Sequence, residues 1–178
     1  KKCLRSSLSD LICKGVNPKY YFIASAGNSK HFTKINLSKI SKALKSEQKK
    51  FSIKLSGGDT TYSNTLSFTF VVIGYSTTLP VLRNGAKLND DIYITNTVGD
   101  AFLGLYIIKK NKKILNHKYF VNSFYLPNIP YKFGKKMCLF ANAAIDISDG
   151  LFQDINHLME NSKLTCDLDL NKIPISIK

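Results

Sequence analysis

Ile145-Asp146-Ile147-Ser148-Asp149-Gly150-Leu151 is the stretch that decides the fold, because an apolar segment passes there directly into a helix. Residues 143–147 predict a strand, and residues 148–160 predict the clearest helix of the chain. The helix carries one apolar stripe, made of Leu151, Phe152, Ile155, Leu158 and Met159. A strand that leads into an amphipathic helix is typical of domains in which helices pack on a sheet.

The acids in this stretch make it a candidate site for cations and phosphate. Asp146 lies in an apolar strand, where a carboxylate is costly unless it is paired or bound to a metal ion. In extended backbone Asp146 and Ser148 point to the same side, and free N–H groups at a helix start favour anions such as phosphate. The alternative is structural. Ser148 is then the helix N-cap, and Asp149 is a first-turn acid that complements the helix dipole.

A second candidate is Gly57-Gly58-Asp59-Thr60-Thr61. Residues 51–55 alternate as a strand and lead into this segment, which is predicted to be a turn. The two glycines let the backbone approach a ligand closely, while Asp59 and the threonine hydroxyls could bind a divalent cation. An ordinary β-turn accounts for the same residues.

Three further positions complete the set of candidates. Asp10 lies near the start of a helix predicted over residues 7–16, where it is either a cation ligand or, like Ser9, a capping residue. Asp100, in Val98-Gly99-Asp100, fits a structural acid at a strand-to-helix turn. Arg83 is one of two arginines, and its planar guanidinium suits phosphate recognition.

The rest of the chain alternates between predicted strands and helices, which makes the protein α+β. Further strands are predicted over residues 20–26, 66–75, 91–95 and 164–170, and further helices over residues 36–50 and 99–109. Residues 111–136 are poorly patterned. The strand-like pattern stops at residues 77–87, which hold a proline, an arginine, an asparagine and a glycine. A domain boundary is therefore predicted there.

Composition narrows the class of protein. The chain of 178 residues has 26 Lys and Arg against 12 Asp and Glu, a formal charge of +14. This charge invites a nucleic-acid-binding interpretation, but aromatic residues are not interleaved with arginine as in a stacking platform. No apolar run reaches the roughly 18–20 residues of a membrane helix. The four cysteines form no Cys-x-x-Cys pair, which favours free thiols in a reducing, cytoplasmic compartment.

Taken in order, these segments resemble the thiamine-monophosphate kinases, within the broader AIR-synthase-like ATP-binding superfamily. The segments that carry the resemblance are Leu8-Ser9-Asp10-Leu11, Gly57-Gly58-Asp59-Thr60-Thr61, Arg83-Asn84-Gly85-Ala86-Lys87, Gly99-Asp100 and Ala144 to Leu151. The resemblance covers essentially the whole chain. It implies an AIR-synthase-like two-domain architecture with both domains incomplete. Residues 1–78 would end an N-terminal α/β sheet domain, and residues 79–178 would begin a C-terminal α/β domain.

The resemblance also implies a reaction and its site. ATP would phosphorylate thiamine phosphate to thiamine diphosphate by direct transfer, with several Mg²⁺ ions and no covalent catalytic residue. The Mg²⁺ ligands would be Asp10, Asp59, Asp146 and Asp149, and the ATP contacts would be Gly58, Arg83 and Ser148. The family further implies a homodimer that pairs through the sheets of the N-terminal domains. The absence of a long apolar run and the scattered lysines argue against a membrane or a nucleic-acid partner.

Two other functions stay open at this point. One is a basic nucleotide- or nucleic-acid-binding module without catalysis, and the other is an AIR-synthase-like enzyme with a different acceptor. The resemblance places an acidic N-terminal segment of the family before Lys1, and substrate-pocket residues after residue 178. The 178-residue chain alone is therefore expected to be inactive.

Overall fold

The structure is a computed structural model that describes residues 1–177. Within those residues it has one three-stranded sheet and six α-helices, which confirms the predicted α+β class. In chain order the elements are α1 (Lys2–Ile12), β1 (Asn17–Gly27), α2 (Lys34–Phe51), β2 (Lys54–Tyr62), β3 (Ser67–Tyr75), α3 (Asp100–Lys110), α4 (His117–Tyr125), α5 (Tyr131–Gly134) and α6 (Leu151–Ser162), with short 3₁₀ turns at Met137–Leu139 and Leu170–Lys172. Among the helices of residues 1–177, none combines the length and apolarity that a bilayer crossing needs.

The sheet has the order β2-β1-β3, so β1 is its central strand. β1 pairs in parallel with β2 and antiparallel with β3. Parallel neighbours need a long crossover connection, and α2 supplies it. The register of β1 against β2 shifts between Tyr21 and Phe22.

α1 covers one face of the sheet because its apolar residues recur every four positions. Leu4, Leu8 and Ile12 are each at most 2% exposed. They pack against Tyr21 of β1 in a cluster that also contains Phe51, Ile53 and Ile129. The core therefore joins α1, the sheet, the end of α2 and the segment that follows α4.

A buried ion pair fastens α1 to its neighbours. The Arg5 guanidinium donates two hydrogen bonds to the Glu47 carboxylate in α2, at 2.7 and 3.1 Å, and a third to the Pro127 carbonyl oxygen at 3.0 Å. Burial acts to raise the pKa of Glu47, but the charge and hydrogen bonds of Arg5, with a smaller contribution from Lys1, hold that pKa below its usual value.

Part of the opposite face of the sheet is apolar and exposed. Side chains alternate across a strand, so the neighbours of buried Tyr21 point away from α1. Phe22 is 37% exposed on β1, and Val71 and Ile73 are 54% and 43% exposed on β3. We call Phe22, Val71, Ile73 and the 62% exposed Tyr75 the open face.

The predicted turn at Gly57-Gly58-Asp59 is wrong, because these residues lie in the middle of β2. Gly58 pairs with Ile23 of β1. A Cβ on Gly58 would lie 1.9 Å from the carbonyl oxygen of Ile23, so a side chain would force the strands apart. Strand pairing therefore requires a glycine at this position.

The strands predicted over residues 91–95, 143–147 and 164–170 are also wrong. Their backbone is irregular. A strand needs a neighbouring segment that offers a ladder of backbone hydrogen bonds, and within residues 1–177 none of the three has such a partner. Residues 111–136, by contrast, are more regular than predicted, because they contain α4 and α5.

The helices of the second half meet closely. A Cβ on Gly104 of α3 would lie 2.0 Å from the carbonyl oxygen of Phe120 in α4. Buried Asp100, at the start of α3, accepts hydrogen bonds from the hydroxyls of Thr97, Tyr119 and Ser176 at 2.6, 2.7 and 2.6 Å. These contacts agree with the structural role that the sequence indicates for Asp100.

Candidate active site

Three segments meet near the C-terminal end of α1. The carbonyl oxygen of Lys14 accepts a hydrogen bond from the N–H of Val81, and that of Leu82 accepts one from the N–H of Ala144, both at 3.0 Å. The end of α1, residues 81–83 and residues 144–146 are therefore neighbours. These segments carry three of the predicted site residues, namely Asp10, Arg83 and Asp146.

Asp10 and Asp146, which we call the acid pair, lie close together. Partial burial and then the negative charge of Asp146 raise the pKa of Asp10, while the positive charges of Lys14 and Arg83 oppose the rise. The hydroxyl of Ser9, next to Asp10 in α1, donates a hydrogen bond to Oδ2 of Asp146. The fold thus brings two acids from distant parts of the chain to one place, with two cations nearby.

Cys13 lies beside the acid pair. Burial, followed by the nearby charge of Asp146, raises the pKa of the Cys13 thiol to about 12. Metals bind cysteine as the thiolate. The surroundings of Cys13 therefore disfavour its thiolate form, whereas the acid pair supplies oxygen ligands.

Asp154, which sequence analysis missed, organises the backbone between the acid pair and α6. Its Oδ2 accepts hydrogen bonds from the N–H groups of Ser148, Asp149 and Gly150, at 2.9, 3.1 and 3.1 Å. Asp154 is 2% exposed, and charge-assisted bonds of this kind are strong. A buried carboxylate therefore holds the loop that the sequence assigned to ligand binding.

This arrangement corrects two predictions for the loop. Gly150 is the N-cap of α6, which begins at Leu151, so Ser148 is not the cap. The three N–H groups expected to be free for phosphate are bound to Asp154 instead. The side chains of Ser148 and Asp149 are exposed and remain predicted contacts to ATP and metal. Ser9 and Asp10 are likewise not caps, since both lie inside α1.

Asp59 lies on the face of the sheet opposite α1. It shares a register position with Ala24 of β1, and Ala24 alternates with the residues of β1 that face the core. The Asp59 side chain is exposed, and its Oδ1 accepts the N–H of Thr60 at 2.7 Å. Sequence alone does not show this separation of Asp59 from the α1 side of the sheet.

The acid pair has the donor chemistry of a magnesium site. Mg²⁺ prefers oxygen ligands and is commonly held by one or two carboxylates together with waters and substrate phosphates. A cation also relieves the repulsion between two adjacent carboxylates. Within residues 1–177 no group of three or more His, Cys, Asp or Glu side chains is placed to hold a metal, so the four-acid ligand set stays a prediction.

Comparisons with known proteins show what the chain is similar to. A family model described as AIR synthase related protein, N-terminal domain, matches residues 1–76. A curated relative, the thiamine-monophosphate kinase of Buchnera aphidicola subsp. Acyrthosiphon pisum, is 34% identical over 98% of this chain and 54% of its own length. Residues 1–76 therefore carry the AIR synthase-related N-terminal domain. The chain spans about half the length of the curated relatives that it matches.

Solved structures show the same relationship. The thiamine-monophosphate kinase from Stenotrophomonas maltophilia K279a superposes with a TM-score of 0.89 at 26% identity, over 98% of this chain and 57% of that one. A chain described as AaThiL complexed with AMPPCP and TMP has a TM-score of 0.81 at 25% identity, over 87% of this chain and 50% of that one. The AIR-synthase-like fold is thereby confirmed, while the domain boundary near residue 78 stays a prediction.

Proposed function

We propose that the protein carrying this chain phosphorylates thiamine phosphate with ATP and Mg²⁺, which gives thiamine diphosphate and ADP. The observation that supports the proposal is the acid pair, which joins two of the motifs that resemble the kinases. The similarity to a solved chain that is complexed with AMPPCP and TMP supports a nucleotide and thiamine phosphate as the ligands.

The residues fit direct phosphoryl transfer. Catalysis of this reaction depends on positioning and on neutralisation of phosphate charge, more than on a protein nucleophile. When bound, Mg²⁺ supplies part of that neutralisation. Asp10 and Asp146 would hold the metal, and Arg83, whose charge acts at the same place, would bind a phosphate oxygen. Asp59 and Asp149 remain proposed metal ligands, and Gly58 and Ser148 remain proposed ATP contacts.

The first prediction tests this activity in the protein as its gene encodes it. We expect ATP, Mg²⁺ and thiamine phosphate to give thiamine diphosphate, measured by chromatography of its fluorescent thiochrome derivative. Asp146→Asn should lower turnover by at least about 100-fold, the size of effect seen when a group that stabilises transition-state charge is lost. Asp167→Asn, at an exposed acid outside the site, is the matched control and should be as active as wild type.

The outcomes separate the alternatives. Turnover of ATP with another phosphorylated acceptor, but not with thiamine phosphate, would assign the protein to another AIR-synthase-like reaction. No phosphoryl transfer with any acceptor would refute the kinase assignment.

We further propose that the protein is a homodimer that pairs through the open face. Contiguous exposed apolar surfaces are typical of interfaces. The four residues of the open face lie on neighbouring strands β1 and β3, so a second copy could bury them together. This placement is consistent with the pairing of N-terminal sheets that the family resemblance implies.

A basic binding function is the second candidate, favoured by the exposed side of α2. Six exposed lysines lie on this helix, namely Lys34, Lys39, Lys42, Lys45, Lys49 and Lys50. Binding of mixed-sequence DNA or RNA through such charges would weaken steeply with salt and would persist in Asp146→Asn. Metal–nucleotide binding would instead be lost in Asp146→Asn.

A further inference from the structure

The Ser9 hydroxyl touches the acid pair directly. It donates a hydrogen bond to Oδ2 of Asp146, across 137 positions of sequence and in a partly buried place. Its support is rigid, because the flanking turns of α1 are anchored by Leu8 and Ile12, which are 0% and 2% exposed. A donor held this way fixes the carboxylate that receives its hydrogen bond.

We propose that Ser9 is a positioning residue that orients the Asp146 carboxylate for metal binding, an inference that rests on the proposed function. The hydrogen bond to Oδ2 fixes the rotation of the Asp146 carboxylate, and so the direction in which its remaining lone pairs face a cation. Hydrogen-bonding partners of metal ligands typically contribute about 10–100-fold to metal affinity.

Ser7 offers a matched control on the same helix. Its hydroxyl donates to the carbonyl oxygen of Cys3, at 3.4 Å, within α1 itself. Ser7→Ala and Ser9→Ala therefore remove the same group from the same element. Only Ser9→Ala removes a contact to the acid pair, so helix effects that are common to both variants cancel.

The test is a titration of the protein as its gene encodes it with Mn²⁺ alone, in which the free ion is followed by electron paramagnetic resonance. We expect Ser9→Ala to weaken Mn²⁺ binding by about 10-fold or more, Ser7→Ala to leave it unchanged, and Ser9→Thr, which keeps the hydroxyl, to restore most of it. In the kinase assay kcat should fall, while KM for thiamine phosphate should not change.

A double variant shows whether Ser9 acts through Asp146. Asp146→Asn removes tight Mn²⁺ binding, and Ser9→Ala should not change the weak affinity that remains in this background, because the group that it orients is already changed. If Ser9→Ala does not fold, Ser9→Cys takes its place, since a thiol is a weak donor of similar size and should show the same loss.

The proposal is overturned if Ser9→Ala binds Mn²⁺ as wild type does, if Ser7→Ala loses as much affinity, or if the wild type binds no Mn²⁺. Failure of the proposed function looks different. A wild type that binds Mn²⁺ in a Ser9-dependent way but makes no thiamine diphosphate would refute the kinase reaction and keep the positioning role.

Discussion

Asp154 shows how one carboxylate can set the shape of a loop. The second prediction is that Asp154→Ala leaves the N–H groups of residues 148–150 without their acceptor. The free energy of unfolding should fall by about 2–3 kcal/mol, the usual cost of losing bonds to a charged group. Urea denaturation measures this loss, and faster amide hydrogen exchange at residues 148–150 would locate it.

Gln153→Ala is the control, since this residue precedes Asp154 in α6 and is exposed. Its free energy of unfolding should change by less than about 0.5 kcal/mol. Unchanged exchange at residues 148–150 in Asp154→Ala would show that the carboxylate does not order the loop.

The third prediction concerns the pH dependence of stability at Glu47. Because the folded pKa of Glu47 lies below its usual value, the ionised pair stabilises the protein above the unfolded pKa. That contribution is lost as the pH falls through the lowered folded pKa. Urea denaturation from neutral pH down to about pH 3 should therefore show stability falling on the acid side.

Two variants isolate the contribution of this pair. Glu47→Ala leaves Arg5 buried without its acid and should cost about 3–5 kcal/mol. The double variant Arg5→Met, Glu47→Leu removes both charges, so it should recover most of the stability and lose part of the acid-side pH dependence. A double variant with the full wild-type pH dependence would assign that dependence to other carboxylates.

At the scale of elements, the crossing of α3 and α4 depends on the missing side chain of Gly104. The fourth prediction is that Gly104→Ala lowers the free energy of unfolding by about 1–3 kcal/mol, because its Cβ would collide with the carbonyl oxygen of Phe120. Alanine favours helix over glycine by about 1 kcal/mol, which offsets only part of this cost. Thermal and urea denaturation measure the net effect.

Lys109→Ala, at an exposed position of α3, is the matched control and should be neutral to within about 0.5 kcal/mol. A Gly104→Ala protein more stable than wild type would mean that helix propensity outweighs the collision, and that α3 and α4 adjust to the extra methyl group.

The helices could be predicted better than the strands, because helices make their own hydrogen bonds. The predicted helices over residues 36–50 and 99–109 match α2 and α3 to within two residues at each end, since apolar spacing within one segment defines them. Residues 143–147 and 164–170 have strand-like composition, yet a strand exists only with a partner. Gly57 and Gly58 show the opposite error. Their composition predicts a turn, yet they lie in β2 and pair with β1.

The site could be predicted only in part, because it too depends on contacts between distant segments. Sequence identified Asp10 and Asp146 as candidates, but their proximity depends on contacts between distant segments. Asp154 carried a usable signal, since an acid in the first turn of a helix complements the partial positive charge there. For Ser9, the only sequence signal of a role in the site is its position next to Asp10.

At the scale of the whole molecule, the open face is the surface through which we expect two copies to pair. The fifth prediction is that the protein as its gene encodes it is a dimer at about 10 µM, and that Val71→Asp makes it monomeric, because burying an unpaired charge is costly. Sedimentation equilibrium measures the mass. Thr77→Asp, at an exposed position after β3, should stay dimeric, and a monomeric wild type would contradict the proposal.

The tight fit of Gly58 against β1 affects how nucleotide-binding experiments can be interpreted. An inactive Gly58→Ala protein would be an ambiguous result, because damage to the sheet and loss of a ligand contact give the same readout. Asp59→Asn changes an exposed side chain to a nearly isosteric one, so it is the cleaner probe of the same motif. Mutagenesis of Gly58 therefore reports first on whether the protein folds, and within this motif Asp59 is the residue that can report on what the protein binds.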